Sequence, residues 1–340
     1  MRRSISFTIL FFVMLSVLVS CYQSHKRELD LAYTLAESKP DSALAFLNRI
    51  NQGKLSDEDM AKYALIYYMA QDKSGLDVDN DSLIRIAYDW YGEHQDDSLY
   101  ASSLYYMGKC FLLNDSMEQA KACLEKSYSI SDSLHNMNLK CLALDKLIEV
   151  EEQLAPYKAL NYAKALVKMY DSMPNVYIYN KVAARLRLCD NFMFVDSLRQ
   201  ALCEGQIALK LAMKDADRNL YSFVCQDLAN VYEKVGEKDS CLFYARQAYS
   251  SNGTDRLSSQ LMLASAYISV DSIERAFAIL KQATPKTPED RYSVFFMQSQ
   301  AAMKTSNYML AKTFGDSANS CLQNMYRSAL QAKINYYTFF

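Results

Sequence analysis

The stretch LANVYEKVGEKDSCLFYARQA, Leu228 to Ala248, decides the fold. Its small and aromatic positions return 35 residues later in LASAYISVDSIERAFAILKQA, Leu263 to Ala283. Ala229 is matched by Ala264, Tyr232 by Tyr267 and Cys241 by Ala276. A third copy, shifted again by 35, starts at Phe295 and runs through Ser299, Ala302, Ala311 and Ala318. A period of this size means stacked supersecondary units, each of which buries its apolar side only against its neighbours. The 3.6-residue spacing inside each copy makes the unit a pair of helices.

Outward from these copies the same grammar continues. Helix pairs are expected at 57–92, 100–135, 140–172, 180–215, 221–250, 256–284 and 290–320, with a short pair at 30–38 and 40–50 before them. Leu104, Met107, Gly108, Phe111, Ala120 and Leu124 fit the pattern well. From Gly108 to Leu147 and on to Cys189 the repeat lengthens, which implies longer helices or loops. The small residue (Gly108, Ala229, Ala264) is where two helices approach, and the aromatic (Phe111, Tyr232, Tyr267) fills the gap to the next pair. An Asp-Ser step recurs at 81, 115, 196, 239 and 271, and again after Pro40. It reads as the start of each second helix, the aspartate capping an orphan N–H and complementing the helix dipole. Eight glycines and five prolines in 340 residues fall well below the usual roughly 7% and 5%, as mostly continuous helix requires.

The residues above resemble the tetratricopeptide (TPR) repeat family over nearly the whole mature chain, most specifically in the three units after 221. The fold this implies is an all-α, right-handed superhelical solenoid of about seven TPR-like hairpins, spanning 29–319, with a C-terminal capping helix at 320–340. In that helix Leu322, Met325, Tyr326, Ala329 and Leu330 form one stripe. The apolar end, Ile334 to Phe340, either folds back on the last hairpin, serves as a contact surface, or is a remnant of a longer ancestor.

The N-terminus reads as an address. Arg2 and Arg3 precede an apolar run from Ile5 to Val19, too short for a comfortable membrane span and shaped like a signal peptide, 1–20. Leu18-Val19-Ser20-Cys21 resembles the bacterial lipobox, which implies cleavage before Cys21 and acylation of its thiol. An ordinary signal peptide or an uncleaved anchor is the alternative. Two or three acyl chains would hold the protein stably, with 21–28 as a polar tether. The chain is similar to the TPR lipoproteins of Bacteroidetes, which share the Pro-Asp-Ser-Ala-Leu opening seen at Pro40 to Leu44. The expected location is the cell envelope, in the outer membrane facing the periplasm. Longer members of that group continue into a membrane helix and an output segment; ending at Phe340, this chain is expected to have neither.

Chemistry is scarce. Net charge is −2 with both signs interleaved, giving no footprint for nucleic acid. Nine cysteines include no Cys-x-x-Cys pair; apart from Cys21 they read as small buried hydrophobes, Cys189 and Cys241 at helix crossings among them, with disulfides or metal as the alternative. His25, His94 and His135 form no metal pair, and there is no phosphate loop or nucleophile elbow. Glu149, Glu151 and Glu152 read as a solvated face, and Asp77, Asp79 and Asp81 as a polar loop lacking the glycine and glutamate of a calcium site. No catalytic residue, metal or cofactor is expected.

What remains is the groove that the TPR resemblance implies, walled by the first helix of each pair. Its candidate residues are Tyr105, Lys109, Leu112, Leu186, Asp190, Phe223, Gln226, Asn230, Leu261, Ser265, Phe296 and Gln300. The family's carboxylate clamp would need a lysine where Gln226 stands, so the mixed lining suits an extended peptide or a partner helix. The expected function is a membrane-anchored, non-enzymatic scaffold for a protein or peptide, with a sensory input module of an envelope signalling system as the alternative. Oligomeric state cannot be read from the chain.

Overall fold

The computed structural model describes residues 26–76, 80–94, 96–251 and 256–338, with side chains to residue 328. The expected signal peptide, Cys21 and most of the expected tether lie outside these residues, as do Asp77, Asp79 and the side chains of the apolar C-terminal end. The described residues form sixteen α-helices and no strand. In chain order come α1 (26–38) and α2 (Pro40–Leu47), then α3 (Asp57–Lys73) paired with α4 (Ser82–Glu93), α5 (Asp97–Leu113) paired with α6 (Met117–Ser133), and α7 (Met137–Leu154) followed by α8 (Pro156–Ser172). Then follow α9 (Ile178–Phe194) with α10 (Leu198–Ala212), α11 (Arg218–Val235) with α12 (Lys238–Ser250), α13 (Arg256–Ser269) with α14 (Ile273–Lys281), and α15 (Pro288–Lys304) with α16 (Tyr308–Thr338). The described residues form two compact units, divided between Tyr162 and Ala163.

The lengthened repeats arise in the helices themselves. The second helices α6 and α8 have 17 residues, whereas α12 and α14 have 13 and 9. At the N-terminus, helix α1 takes in residues 26–28, which the sequence reading gave to the tether, and buries Leu29. At the C-terminus there is no break at 320. Helix α16 runs unbroken for 31 residues, because no glycine or proline interrupts the sequence after Gly315. Leu322 and Tyr326, expected on a covered stripe, are exposed.

The Asp-Ser step has a different role from the one expected. Asp115, Asp196 and Asp271 have φ of 57, 57 and 56°, in the left-handed region. They end the first helix of a hairpin rather than cap the second. The next residue's N–H reaches back to a carbonyl five earlier: Ser116 to Phe111, Ser197 to Phe192 and Ser272 to Tyr267, each at 2.8 Å. This six-to-one bond is the Schellman closure of a helix C-terminus. Gly236, at φ 85°, makes the same turn with Glu237 donating to Tyr232 O at 3.0 Å. Aspartate substitutes for glycine there because its short polar side chain tolerates the left-handed region. The second helices beginning after Ser116, Ser197 and Ser272 have no side-chain cap. Asp81 sits at the N-cap of α4 without a capping bond, and Asp41 and Asp239 lie inside first turns. Side-chain caps fall instead on first helices, from Ser56, Asp96, Asn136, Asp217 and Thr287. Ser56, Asp217 and Thr287 hold extended backbone at the cap position, which aims the side-chain oxygen at the first turn.

The small residues sit at the close crossings, as their spacing implies. A Cβ on Gly108 would lie 2.7 Å from Leu124 Cγ, and one on Gly205 would lie 2.8 Å from Leu228 Cδ2. Ala229 and Ala264 are fully buried. Tyr232 stacks on Tyr244 with ring centroids 5.4 Å apart, and Arg246 and Arg275 lie over the Tyr267 ring. In the first unit one core runs from Leu29 to Val150. In the second unit the core is divided hairpin by hairpin, around Leu228, Leu263 and Leu280. The eight described cysteines are free thiols, six of them buried. Cys189 donates to Ala201 O at 3.2 Å, and burial pushes the Cys241 thiol up to about 11. No described helix is long and apolar enough to cross a membrane.

Candidate functional site

Within each unit, successive first helices pack against one another as well as against their own partners: α3 on α5 and α5 on α7 in the first, α9 on α11, α11 on α13 and α13 on α15 in the second. In the second unit this layer forms a continuous wall. Two hydroxyl rungs join α13 to α11. Ser258 donates to Gln226 Oε1 at 2.5 Å, and seven residues on, two helical turns away, Ser265 donates to Glu233 Oε1 at 2.7 Å. Both rungs span 32 residues of sequence, so the register of α13 against α11 is held at two points.

Above this wall lies an open pocket of about 470 Å³. Helix α11 contributes Asn230 and Glu233; α13 contributes Leu257, Ser258, Leu261, Met262 and Ser265; α15 contributes Asp290 and Met297. The volume falls within the roughly 300–1,000 Å³ of ordinary ligand sites, and the lining mixes an apolar floor with a few polar groups. Asp290 is held in place by the start of its own helix. Its Oδ2 accepts from the N–H of Thr287 and of Lys286, closing a capping box with the Thr287 hydroxyl. Those backbone donors lower its carboxyl below the usual range, so it is ionised at neutral pH.

Of the candidate residues, the pocket gathers Asn230, Leu261 and Ser265. Gln226 stands behind them as a rung, buried, with its Nε2 unpartnered. Phe223, Phe296 and Gln300 are exposed on first helices outside the pocket, and Phe296 stacks on Tyr292. Leu186 packs in the α9–α11 core. Asp190 faces Asp227: burial, then the Asp190 charge, pushes the Asp227 carboxyl up to about 8. In the first unit Tyr105 is buried in the core, Leu112 packs against that core, and Lys109 is ion-paired to Asp72.

Sequence reasoning missed Glu233, Leu257, Ser258, Met262, Asp290 and Met297. Part of the signal was available. Ser258, Leu261, Met262 and Ser265 have the i, i+3, i+4, i+7 spacing of one helix face, and Asn230 and Glu233 share another. The 35-residue shift carries Gln226 to Leu261 and Phe296, but the pocket runs obliquely across the helices and does not follow equivalent positions. Among the described residues no group of three or more His, Cys, Asp or Glu could hold a metal ion.

No family model and no curated protein matches the chain. Solved structures do. The apo form of RapI superposes with a TM-score of 0.63 at 10% identity, over 89% of this chain and 98% of that one. A Rap protein complexed with competence and sporulation factor gives 0.62 at 12% identity, over 90% and 99%. A signal transduction ATPase with a tetratricopeptide repeat sensor from Pyrococcus horikoshii gives 0.64 at 13%, over 90% of this chain and 48% of that one. At such identities the likeness is one of backbone alone. The successive helical pairs, the small-residue crossings and these superpositions agree: the chain has the TPR-like helical repeat fold.

Proposed function

We propose that this protein is a non-enzymatic scaffold, lipid-anchored through Cys21 at a bacterial cell envelope, that seats a protein or peptide partner on the first-helix wall of its second unit. The observation carrying the reading is the pocket across α11, α13 and α15. It is wide enough for side chains, floored by Leu261, Met262 and Met297, and edged by polar groups that would fix orientation. That a Rap protein of similar backbone is seen complexed with competence and sporulation factor supports binding as a use of this fold. The anchor rests on the Leu18–Cys21 sequence.

A photo-crosslinking residue at Ser265, compared with one at exposed Lys238 on α12, tests the wall in cells. A discrete adduct from 265 and none from 238 is the expected result. Equal labelling, or none at either, would overturn the reading. An outer-membrane protein in the adduct fits the scaffold, and an inner-membrane regulator fits the sensory alternative. For the anchor, Cys21→Ala should release the protein from the membrane fraction, and globomycin should cause precursor to accumulate. Unchanged fractionation and mobility would reject it.

A further inference from the structure

The chemistry of this pocket is one-sided. Among the described residues its carboxylates, Glu233 and Asp290, form no ion pair, and no lysine, arginine or histidine lines the pocket; the Lys286 charge acts on Asp290 only as the smallest influence, after the backbone donors. Several carboxylates elsewhere are matched: Asp72 with Lys109, Glu151 with Lys121 and Lys158, Glu204 with Arg185. The nearby Arg256 lies over the Tyr249 ring instead. The hydroxyls add to the imbalance. Ser258 and Ser265 each donate their only proton to the α11 wall, to Gln226 and Glu233. A hydroxyl that has given its proton can only accept. The Asn230 amide is the one side-chain donor left among the lining residues. An apolar floor with an acceptor-rich, negatively charged edge is complementary to a group made of donors, positively charged, on an apolar stem.

We infer that the pocket receives a lysine or arginine side chain of the partner, flanked by an apolar residue that lies on Leu261, Met262 and Met297. This rests on the reading of the wall as the partner-binding face. The sign is opposite to that of a site for a peptide carboxylate, which would meet Glu233 and Asp290 as repulsion. An ammonium or guanidinium would donate charge-assisted bonds to Glu233 and to the second oxygen of Asp290, whose first accepts from the backbone N–H groups of Lys286 and Thr287.

The test is selection of a random dodecapeptide phage library on the purified full chain, followed by fluorescence anisotropy of the enriched peptides. The expected result is enrichment of Lys or Arg beside an apolar residue. Glu233→Gln should weaken those peptides about tenfold, the loss of one charge-assisted bond. Asn230→Asp, which adds a carboxylate, should tighten them and so moves opposite to any loss of folding. Enriched peptides without basic residues, or basic peptides indifferent to both substitutions, would overturn the inference while leaving a peptide-binding wall. No enriched peptide at all would overturn the wall as well.

Discussion

Gly108→Ala is the sharpest test of how tightly these hairpins close. The new Cβ would sit 2.7 Å from Leu124 Cγ and 2.9 Å from its Cδ2, on a side chain that is fully buried. Cγ is the branch point of that leucine, so a χ2 change leaves it in place and only a χ1 change within the packed core could clear it. Overpacking a close contact of this kind costs about 1–3 kcal/mol. Alanine in place of mid-helix glycine returns about 1 kcal/mol of helix propensity. The expected net loss is therefore about 1 kcal/mol. Gly315→Ala supplies the contrast: its Cβ would meet only Ser299 Oγ at 3.5 Å, an ordinary contact. There the propensity gain stands alone, and stability should rise by up to about 1 kcal/mol. Trp90, the sole tryptophan, lies on α4 beside α5 and reports the first unit. Urea midpoints from its fluorescence read Gly108→Ala, and circular dichroism reads Gly315→Ala. Adding Leu124→Ala should cost less on the Gly108→Ala background than on the parent, since it removes the atoms in conflict. A Gly108→Ala protein as stable as the parent, with additive effects of Leu124→Ala, would refute the close crossing.

Further outcomes follow from the charges and turns. Glu151 is 1% exposed, and although burial opposes its ionisation, Lys158 at 2.6 Å and Lys121 at 3.0 Å lower its carboxyl below the usual value. Its contribution is present above pH 4.5, the ordinary value, and is lost as pH falls through the lower folded value; acid titration of the Trp90 signal should show Glu151→Gln less acid-sensitive than the parent. Asp227 is the reverse case: its folded carboxyl keeps its proton up to about 8, so stability falls as pH rises from about 3.8 to about 8. Asp227→Asn should flatten that fall in urea midpoints taken across the range, and an unaltered slope would dismiss the Asp190–Asp227 repulsion. Asp271→Gly should hold or raise the melting temperature, because glycine adopts φ 56° without strain. A fall would restore aspartate to the role of helix cap. Gly236→Ala should lower stability by about 1–2 kcal/mol, the left-handed penalty for a residue with Cβ.

The fold was legible because a repeat states its grammar several times. Ala229 and Ala264, with Tyr232 and Tyr267, mark helix crossings in two copies, and the helix pairs from 57 to 284 fall within a few residues of their expected bounds, whereas the last runs on to Thr338. The Asp-Ser steps were misread because aspartate suits two adjacent jobs, capping a helix start and ending the previous helix in the left-handed region. Only φ separates them. The site was less legible. A helix face can be read from one segment, but the pocket depends on the oblique line across three helices, set by packing between non-adjacent segments. Gln226 shows the same limit: its spacing points to the groove, while its partner, Ser258, turns it into a rung of the wall.

The hairpins also govern how the chain is made. Their buried contacts join segments that are near one another in sequence, within a pair or between neighbouring pairs. Closing such short loops costs little chain entropy, and low contact order accompanies fast folding. Each pair can form as soon as its second helix and the next first helix are free to pack. Local contacts of this kind allow a pair to pack without the chain's last residues. The Gly108–Leu124 contact needs only α5 and α6, whereas the two hydroxyl rungs need α11 and α13 together.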